Sequence, residues 1–230
     1  MRNTTPILLY DIDGTLLKVQ RDFIMSLISE QLSIFKVPKP DAKIKSFAGR
    51  TDRGIFMELI GDRPDAEDLF LQLKESYAKA MLQHLTPDYI DRFDDAAESV
   101  WEAVELDVPV GLCTGNFRDV AMKKVETAGL INVFKFGGFG GNHSDRNLLP
   151  GEADRQYRLL FKDSPEATRY VVIGDTPNDI RCAKHFGALS VAVTTGMFNH
   201  DELAVEEPDL ILTSLQGTKT WLEKLGFNGL

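Results

Sequence analysis

Two aspartates one residue apart, Asp11 and Asp13, have the residue type and spacing best suited to chemistry in this sequence. They directly follow the apolar run 6–10, Pro-Ile-Leu-Leu-Tyr, which is typical of a buried parallel strand. Open parallel sheets bind ligands at the carboxyl ends of their strands. Two like charges buried so close together are unfavourable unless a cation or a proton compensates them. The pair therefore indicates a divalent metal together with an anionic substrate.

A second acidic pair follows another apolar run, residues 170–173. Asp175 stands at the end of this predicted strand, and Pro177 suits the first turn of the next helix. Asp179 is therefore expected in that first turn, near the helix amino terminus. A lone aspartate after a strand is more often a turn former or a helix cap. The recurrence at strand ends favours one shared site instead.

The apolar run 108–113 leads to Thr114, Gly115 and Asn116. A helix is predicted to begin at about 117, so the loop before it combines a hydroxyl group with backbone amides at a helix amino terminus. Such a loop is a natural anion site. Taken alone, Thr114 is equally well explained as a helix cap.

Short apolar runs and helical patterns alternate through the second half of the chain. The runs predict strands at 108–113, 133–136, 170–173, 189–193 and 210–212, and the patterns predict helices at 117–128, 152–161, 177–186 and 214–225. With the first strand at about 6–12, this order predicts an α/β fold with a doubly wound, mainly parallel sheet, that is, a Rossmann-like core. The glycine-rich stretch 137–141 is interpreted as a flexible loop.

Helical patterns at 19–35, 51–60 and 64–84 interrupt this alternation. The interval is too long for an ordinary crossover between strands. We therefore predict an inserted helical domain, residues 17–87, over the acidic strand end. The α/β core would then comprise residues 1–16 and 88–230.

Composition limits the possible functions. The 230 residues carry a formal net charge of −9, which argues against binding by neutralisation of nucleic acid phosphates or of an anionic membrane. A small phosphorylated ligand remains compatible because a bound metal inverts the local field. No signal-peptide-like segment or membrane-spanning run is present, and Cys113 and Cys182 are interpreted as buried free thiols, so a cytoplasmic location is expected.

The three motifs, in this order, resemble those of the haloacid dehalogenase-like superfamily. They are Asp11-x-Asp13-Gly14-Thr15, Thr114-Gly115-Asn116 and Gly174-Asp175-Thr176-x-x-Asp179. The resemblance covers nearly the whole chain and is closest to the phosphatases of the phosphoglycolate phosphatase and β-phosphoglucomutase type. Those enzymes carry a helical cap just after the first motif. The implied activity is hydrolysis of a small phosphorylated metabolite.

The resemblance also implies a role for each motif residue. Asp11 is the nucleophile, and Asp13 is the general acid and base, a group that haloacid dehalogenases lack because a halide needs no proton. Mg²⁺ would be held by Asp11, the backbone carbonyl of Asp13, and Asp175, with support from Asp179. Thr114 would bind a phosphate oxygen, and Thr15, Gly115 and Asn116 are the further substrate-binding residues.

The family also uses a cation near the nucleophile, usually a lysine before a proline. This sequence lacks that pair between Thr114 and Gly174, and we expect Arg146, just ahead of a predicted helix, to take the role. Lys123, Lys124 and Lys162 are interpreted as solvated helix residues.

Residue Arg50 follows a glycine in the predicted cap. It is interpreted either as a surface arginine beside a capping Thr51 or as a substrate contact. Family members that cleave phosphonates use a cap lysine, and this loop has none.

A Mg²⁺-dependent phosphatase that forms an aspartyl-phosphate is the favoured function. A phosphomutase that returns the phosphoryl group to a second hydroxyl is the nearest alternative. A noncatalytic phospho-ligand-binding relative and a phospho-accepting receiver domain are less favoured. The sequence leaves the choice between a monomer and a homodimer open.

Overall fold

A six-stranded parallel sheet forms the centre of the protein, seen in a computed structural model that describes residues 5–38, 47–162 and 169–229. The strands in chain order are β1 (Pro6–Tyr10), β2 (Leu17–Val19), β3 (Ile90–Arg92), β4 (Val110–Thr114), β5 (Gly137–Phe139), β6 (Arg169–Gly174), β7 (Leu189–Val193) and β8 (Leu210–Leu212). The sheet order is β5-β4-β1-β6-β7-β8, and each neighbouring pair is parallel.

Helices cover this sheet and form a separate layer over one end. They are α1 (Arg21–Ile34), α2 (Asp52–Ile60), α3 (Ala66–His84), α4 (Asp94–Glu105), α5 (Arg118–Thr127), α6 (Leu149–Leu160), α7 (Pro177–Phe186), α8 (His200–Ala204) and α9 (Thr218–Lys224). Short 3₁₀ helices span Pro87–Tyr89 and Arg146–Leu148. The predicted α/β fold with a mainly parallel sheet is confirmed.

Strand β1 is the reason that the acidic motifs meet. All five of its residues are buried, and it is paired on one side with β4 and on the other with β6. Tyr10 is in register with both Leu112 and Ile173. The residues that follow these three positions therefore leave the sheet at the same edge, which brings Asp11 beside the ends of β4 and β6.

The edge of the sheet beyond β4 differs from the sequence prediction. The strand expected at 133–136 lies instead at Gly137–Phe139, within the stretch interpreted as a flexible loop. A Cβ atom on Gly138 would lie 2.0 Å from the carbonyl oxygen of Leu149. Only glycine permits this close approach between β5 and the start of α6, so the glycines form an edge strand against a helix.

The helices α1, α2 and α3 lie between β2 and β3, and we call them the three-helix segment. Strands β2 and β3 pair antiparallel, with Val19 opposite Ile90, so the chain leaves and re-enters the core at neighbouring points. The sequence patterns did not predict this pair because each strand has three residues. Among the described residues, no helix combines the length and apolar character needed to cross a membrane.

Aromatic packing joins the three-helix segment to the core. Phe117, just before α5, is 1% exposed and lies against the rings of Phe56, Phe70 and Tyr77, with ring centroids 5.7 to 6.2 Å apart. Aromatic pairs at such distances add stabilisation beyond the area that they bury. The segment is thereby positioned over the carboxyl edge of the sheet.

Candidate active site

Three buried carboxylates form the centre of the site. Asp11, Asp175 and Asp179 each offer an oxygen, and these oxygens lie within 4.8 Å of one another. Asp11 follows β1, Asp175 follows β6, and Asp179 lies in the first turn of α7. The parallel register of β1 and β6 therefore brings together three of the four aspartates that were expected to share one site.

Burial changes the protonation of this cluster. Desolvation raises the pKa of Asp11 to about 6, although Arg146 opposes the rise, and the negative charges of Asp179 and Asp13 add to it. Desolvation, followed by the charges of Asp179 and Asp11, holds the pKa of Asp175 well above its usual range. The protein alone therefore leaves negative charge in the cluster poorly compensated.

Arg146 provides the positive charge that touches the cluster. Its Nη2 atom lies 3.1 Å from Asp11 Oδ1 and 2.5 Å from Asp179 Oδ1. Burial lowers the pKa of the guanidinium, but Asp179 and Asp11 outweigh this effect and hold it well above its usual value. The buried Nε atom has no hydrogen-bond partner within the described residues, so it remains a donor for a ligand.

Asp179 is engaged on both of its carboxylate oxygens. Oδ1 accepts from Arg146, while Oδ2 accepts from the backbone nitrogen and the hydroxyl of Thr176 at 3.0 and 2.6 Å. The contacts with Thr176 form the capping box at the start of α7. Asp179 thus stabilises a helix terminus and also orients the guanidinium.

The side chain of Asp13 is paired with a buried lysine. Lys124 Nζ lies 2.8 and 2.6 Å from Asp13 Oδ1 and Oδ2, and 2.7 Å from Asn116 Oδ1. Asn116 Nδ2 donates to Asp13 Oδ2 at 2.7 Å. The interpretation of Lys124 as a solvated residue is wrong, because its side chain is only 4% exposed.

The other predicted site residues lie on the same edge. The buried Thr114 hydroxyl accepts from Asn116 Nδ2 at 2.9 Å, and Thr15 donates to Asp175 Oδ1 at 3.4 Å. Eight of the ten predicted residues line one cavity, namely Asp11, Asp13, Arg50, Thr114, Gly115, Asn116, Arg146 and Asp175. Thr15 and Asp179 are the two that do not line it, and both contact residues that do.

A loop of the three-helix segment closes over this edge. The backbone nitrogens of Asp52 and Arg53 donate to the carbonyl oxygens of Gly115 and Gly140 at 2.7 and 3.0 Å. A Cβ atom on Gly115 would lie 2.0 Å from the carbonyl oxygen of Arg50. The absence of a side chain at Gly115 is therefore required for the loop to reach the Thr114-Gly115-Asn116 motif.

Asp52 and Arg50, the two charged side chains of this loop nearest the cavity, have different partners. Asp52 Oδ2 accepts from the backbone nitrogen of Phe117 at 2.8 Å. Burial raises the pKa of Asp52 to about 6, and the nearby Lys124 opposes the rise. Arg50 lines the cavity, but its Nη2 atom bonds Glu58 at 2.5 Å.

The donor set fits a divalent cation. Within the described residues, three carboxylates share one guanidinium in the buried cluster, and Lys124 is engaged by Asp13 instead. Carboxylate oxygens are the ligands that Mg²⁺ prefers. A divalent cation would balance the remaining charge and would lower the raised pKa values of Asp11 and Asp175.

Lys124 is the main site residue that the sequence analysis missed, although a signal was present. Val120, Ala121, Lys124 and Val125 form the buried face of α5. A lysine in an apolar helical stripe requires an anionic partner when that face is buried. Asp52 was missed because its neighbours in sequence do not reveal that the loop meets the core.

Comparison with known proteins agrees with this arrangement. A family model described as haloacid dehalogenase-like hydrolase matches residues 8–193. The chain is 25% identical over 212 residues to a phosphoglycolate phosphatase of Neisseria meningitidis, covering 90% of this chain and 88% of that protein. It is 26% identical over 214 residues to a validoxylamine A 7'-phosphate phosphatase of Streptomyces hygroscopicus, covering 91% and 93%.

Solved structures share the fold. A predicted phosphatase from Clostridium acetobutylicum matches with a TM-score of 0.71 at 19% identity, covering 96% of this chain and 99% of that one. The protein CbbY from Rhodobacter sphaeroides, in complex with phosphate, matches with a TM-score of 0.64 at 18% identity, covering 93% and 96%.

Proposed function

Because this chain belongs to the haloacid dehalogenase-like hydrolase family, we propose that it is a Mg²⁺-dependent phosphatase of a small phosphate monoester. The observation that carries the proposal is the buried group of Asp11, Asp175 and Asp179 with the guanidinium of Arg146, at the edge of a cavity lined by Asp11 and Asp175. Two curated relatives with more than four-fifths coverage of both chains are named as phosphatases.

The reaction proceeds in two steps through Asp11. Its carboxylate attacks phosphorus and forms an aspartyl-phosphate while the ester P–O bond breaks. Asp13 donates its proton to the leaving alkoxide. In the second step Asp13 takes a proton from water, the water oxygen attacks phosphorus, and the acyl–phosphate bond breaks to regenerate Asp11. Inorganic phosphate leaves.

The metal would be held by Asp11, Asp175 and the backbone carbonyl of Asp13. Mg²⁺ supplies charge stabilisation at the phosphoryl oxygens when bound. Asp179 supports this group by holding Arg146 in place, since both of its carboxylate oxygens already have protein partners. Thr15 orients Asp175 through its hydroxyl.

The transferred phosphoryl group would lie between Arg146 and the loop after β4. The Nε atom of Arg146, the Thr114 hydroxyl and the amide of Gly115 would be its donors, and the Asn116 amide, which donates to Thr114 Oγ1 at 3.4 Å, would support them. Such preorganised donors stabilise charge without reorganisation during the reaction.

The three-helix segment would act as a cap, within an inserted domain of residues 17–87 on a core of residues 1–16 and 88–230. Its loop contacts Gly115 and Gly140 of the core and reduces the access of water to the cavity. Arg50 would reach the substrate only by leaving Glu58. A small phosphorylated metabolite fits an enclosed site of this kind.

Phosphate release from p-nitrophenyl phosphate tests the proposal. Release should require Mg²⁺ and should fall on the order of 10⁴-fold or more in Asp11→Asn, as for the loss of a covalent nucleophile. The variant keeps the side-chain volume, so its circular dichroism should match the wild type. Release without added metal, or retained release in Asp11→Asn, would contradict the proposal. Phosphoryl movement between hydroxyls of a sugar phosphate, without release, would indicate a mutase.

A further inference from the structure

The cavity has two chemically different sides. The core side carries the acidic cluster, Arg146 and the loop after β4. The opposite side carries an apolar surface, which we call the roof. The roof consists of Ile24, Met25 and Ile28 of α1, Ile55 and Leu59 of α2, and Phe47, which precedes α2. All six are apolar. The cavity has a volume of about 370 Å³, which is in the range of small-molecule sites.

These roof side chains are incompletely covered by the protein. Each is only partly buried, in contrast to Leu27 on the same helix as Ile24 and Ile28, which is buried in the core. Apolar surface left facing a cavity is stabilised when an apolar ligand covers it. The roof therefore offers a contact to the part of a substrate that lies farthest from the phosphoryl group.

Among the residues that the structure describes, the charged side chains around the roof do not form a carboxylate-binding site. Arg50 is held by Glu58 at 2.5 Å and by the carbonyl oxygen of Gly54 at 3.4 Å. Lys18 and Arg21 line the cavity but are exposed to solvent, where they remain hydrated. Asp52, at the inner side of the loop, would repel an anion. A carboxylated alcohol would therefore lose hydration at the roof without gaining a buried cationic partner from the described part of the chain.

We propose that the roof is a subsite for an apolar group on the alcohol moiety, so that the substrate is a phosphate monoester with a hydrocarbon portion of several carbons. A short carboxylated ester such as phosphoglycolate is then a poor substrate. This inference rests on the proposed phosphatase function for its reaction, but the subsite itself is a binding property that can be measured without turnover.

Binding of n-alkylphosphonates in the presence of Mg²⁺ tests the subsite directly, because the P–C bond is not an ester. Calorimetric titration with ethyl-, butyl- and hexylphosphonate should show the dissociation constant falling about fourfold per added methylene, the value expected from burial of one CH₂ group. Phosphonoacetate should bind no better than ethylphosphonate. The kcat/KM values for ethyl phosphate, hexyl phosphate and phosphoglycolate should follow the same order.

Variants of α1 separate the roof from the rest of the protein. Ile28→Thr places a hydroxyl in the roof and should reduce the gain per methylene. Ile34→Thr, on the same helix but 58% exposed and outside the cavity, should leave the gain unchanged. If Ile28→Thr does not fold, Ile55→Thr makes the same change on α2.

Each outcome separates the two proposals. Affinity that rises with chain length, together with release from hexyl phosphate, supports both. Chain-length-dependent affinity without release from any ester supports the subsite and contradicts the phosphatase function. Release without chain-length dependence, or with phosphoglycolate as the best ester, overturns the subsite and leaves the phosphatase function standing. Absence of both effects overturns both.

Discussion

Lys124 Nζ lies within 2.8 Å of both carboxylate oxygens of Asp13 and holds that side chain in place. The lysine is 4% exposed and the Asp13 side chain is 43% exposed, so the buried partner determines the geometry of the pair. Asn116 bonds both of them. We infer that Lys124 is a positioning residue for the proposed general acid and base.

Lys124→Met should lower kcat by about 10- to 100-fold with little change in KM. General acid and base catalysis contributes about 10²–10⁴-fold, and a misplaced Asp13 loses part of it. Steady-state kinetics with p-nitrophenyl phosphate and with an unactivated alkyl phosphate measure the effect. The alkyl ester should be more sensitive, because its leaving group needs the proton more.

Lys123→Met is the matched control for this prediction. Lys123 is adjacent in α5 but does not belong to the helix face buried with Lys124. Equal effects of the two variants, or an effect of Lys124→Met on KM alone, would show that Lys124 does not position Asp13.

Arg146→Met should reduce kcat/KM by at least about 100-fold, since it removes a charged donor that contacts both Asp11 and Asp179. It should also destabilise the metal-free protein by about 3–5 kcal/mol, because buried carboxylates lose their counter-charge. Thermal unfolding with and without Mg²⁺ should show that the metal restores part of the lost stability.

Lys162→Met provides the comparison for Arg146, since Lys162 is exposed at the end of the helix α6 region. It should leave both activity and unfolding temperature unchanged. Similar mild effects of both variants would mean that another group compensates the cluster.

Gly115→Ala should impair the docking of the loop at Arg50. The added Cβ atom would meet the carbonyl oxygen of Arg50 at 2.0 Å, so the loop has to move away. A displacement of about 1 Å can lower the rate by about 10²-fold. Faster amide hydrogen exchange at Asp52 and Arg53, whose nitrogens bond Gly115 and Gly140, should accompany the loss of activity.

Gly151→Ala controls for the loss of a glycine, because Gly151 lies within α6 and its Cβ atom would meet only ring carbons of Phe186, at 3.8 Å or more. Its activity and stability should equal or slightly exceed those of the wild type. Unchanged exchange at Asp52 in Gly115→Ala would show that the loop does not depend on this contact.

Asp52→Asn should stabilise the protein at pH 7.5 by about 1–3 kcal/mol. The pKa of Asp52 is raised by burial to about 6, above its value in an unfolded chain, so the folded state binds the proton more tightly. The Asp52 carboxyl therefore does not destabilise the folded state below about pH 4, where it is protonated in both states. It destabilises the folded state increasingly as the pH rises through 6, because the ionised form is disfavoured there. Asparagine keeps an acceptor for the Phe117 nitrogen without the charge.

Thermal unfolding of Asp52→Asn and the wild type from pH 4 to pH 8 measures this difference. The gain in unfolding temperature should be small at pH 4 and reach its maximum above about pH 7. Lys124, which opposes the rise in the pKa of Asp52, and Asp13, whose negative charge adds to that rise, contribute to the profile. A gain that is independent of pH would show that the ionised carboxylate is not the cause.

Local patterns predicted most of the fold and the centre of the site. The apolar run 6–10 predicted β1 because five consecutive buried residues need a strand covered on both faces. Asp11 and Asp175 follow their strands directly, so their positions at the edge depend only on adjacent residues and on the parallel arrangement. Arg146 was predicted from its place before a helix, and it does contact Asp11.

Other features depend on contacts between residues far apart in sequence. The strand β5 was placed too early because its glycines carry no apolar pattern and form a strand only against α6. The pair of β2 and β3 is too short for a periodic signal. The partner of Arg50 could not be known from the sequence, since Glu58 becomes its neighbour only when α2 forms.

The sequence by itself determined the chemical groups available to this protein and the sheet edge at which they leave their strands, because strand burial and chain adjacency are local properties. Only the tertiary structure decided how those groups are paired. Whether Lys124 is solvated or bound to Asp13 depends on which face of α5 packs inward, and the docking of Asp52 on the Phe117 loop depends on a contact 65 residues apart. Electrostatic pairing acts through distance in space, and that distance is set by packing rather than by position along the chain.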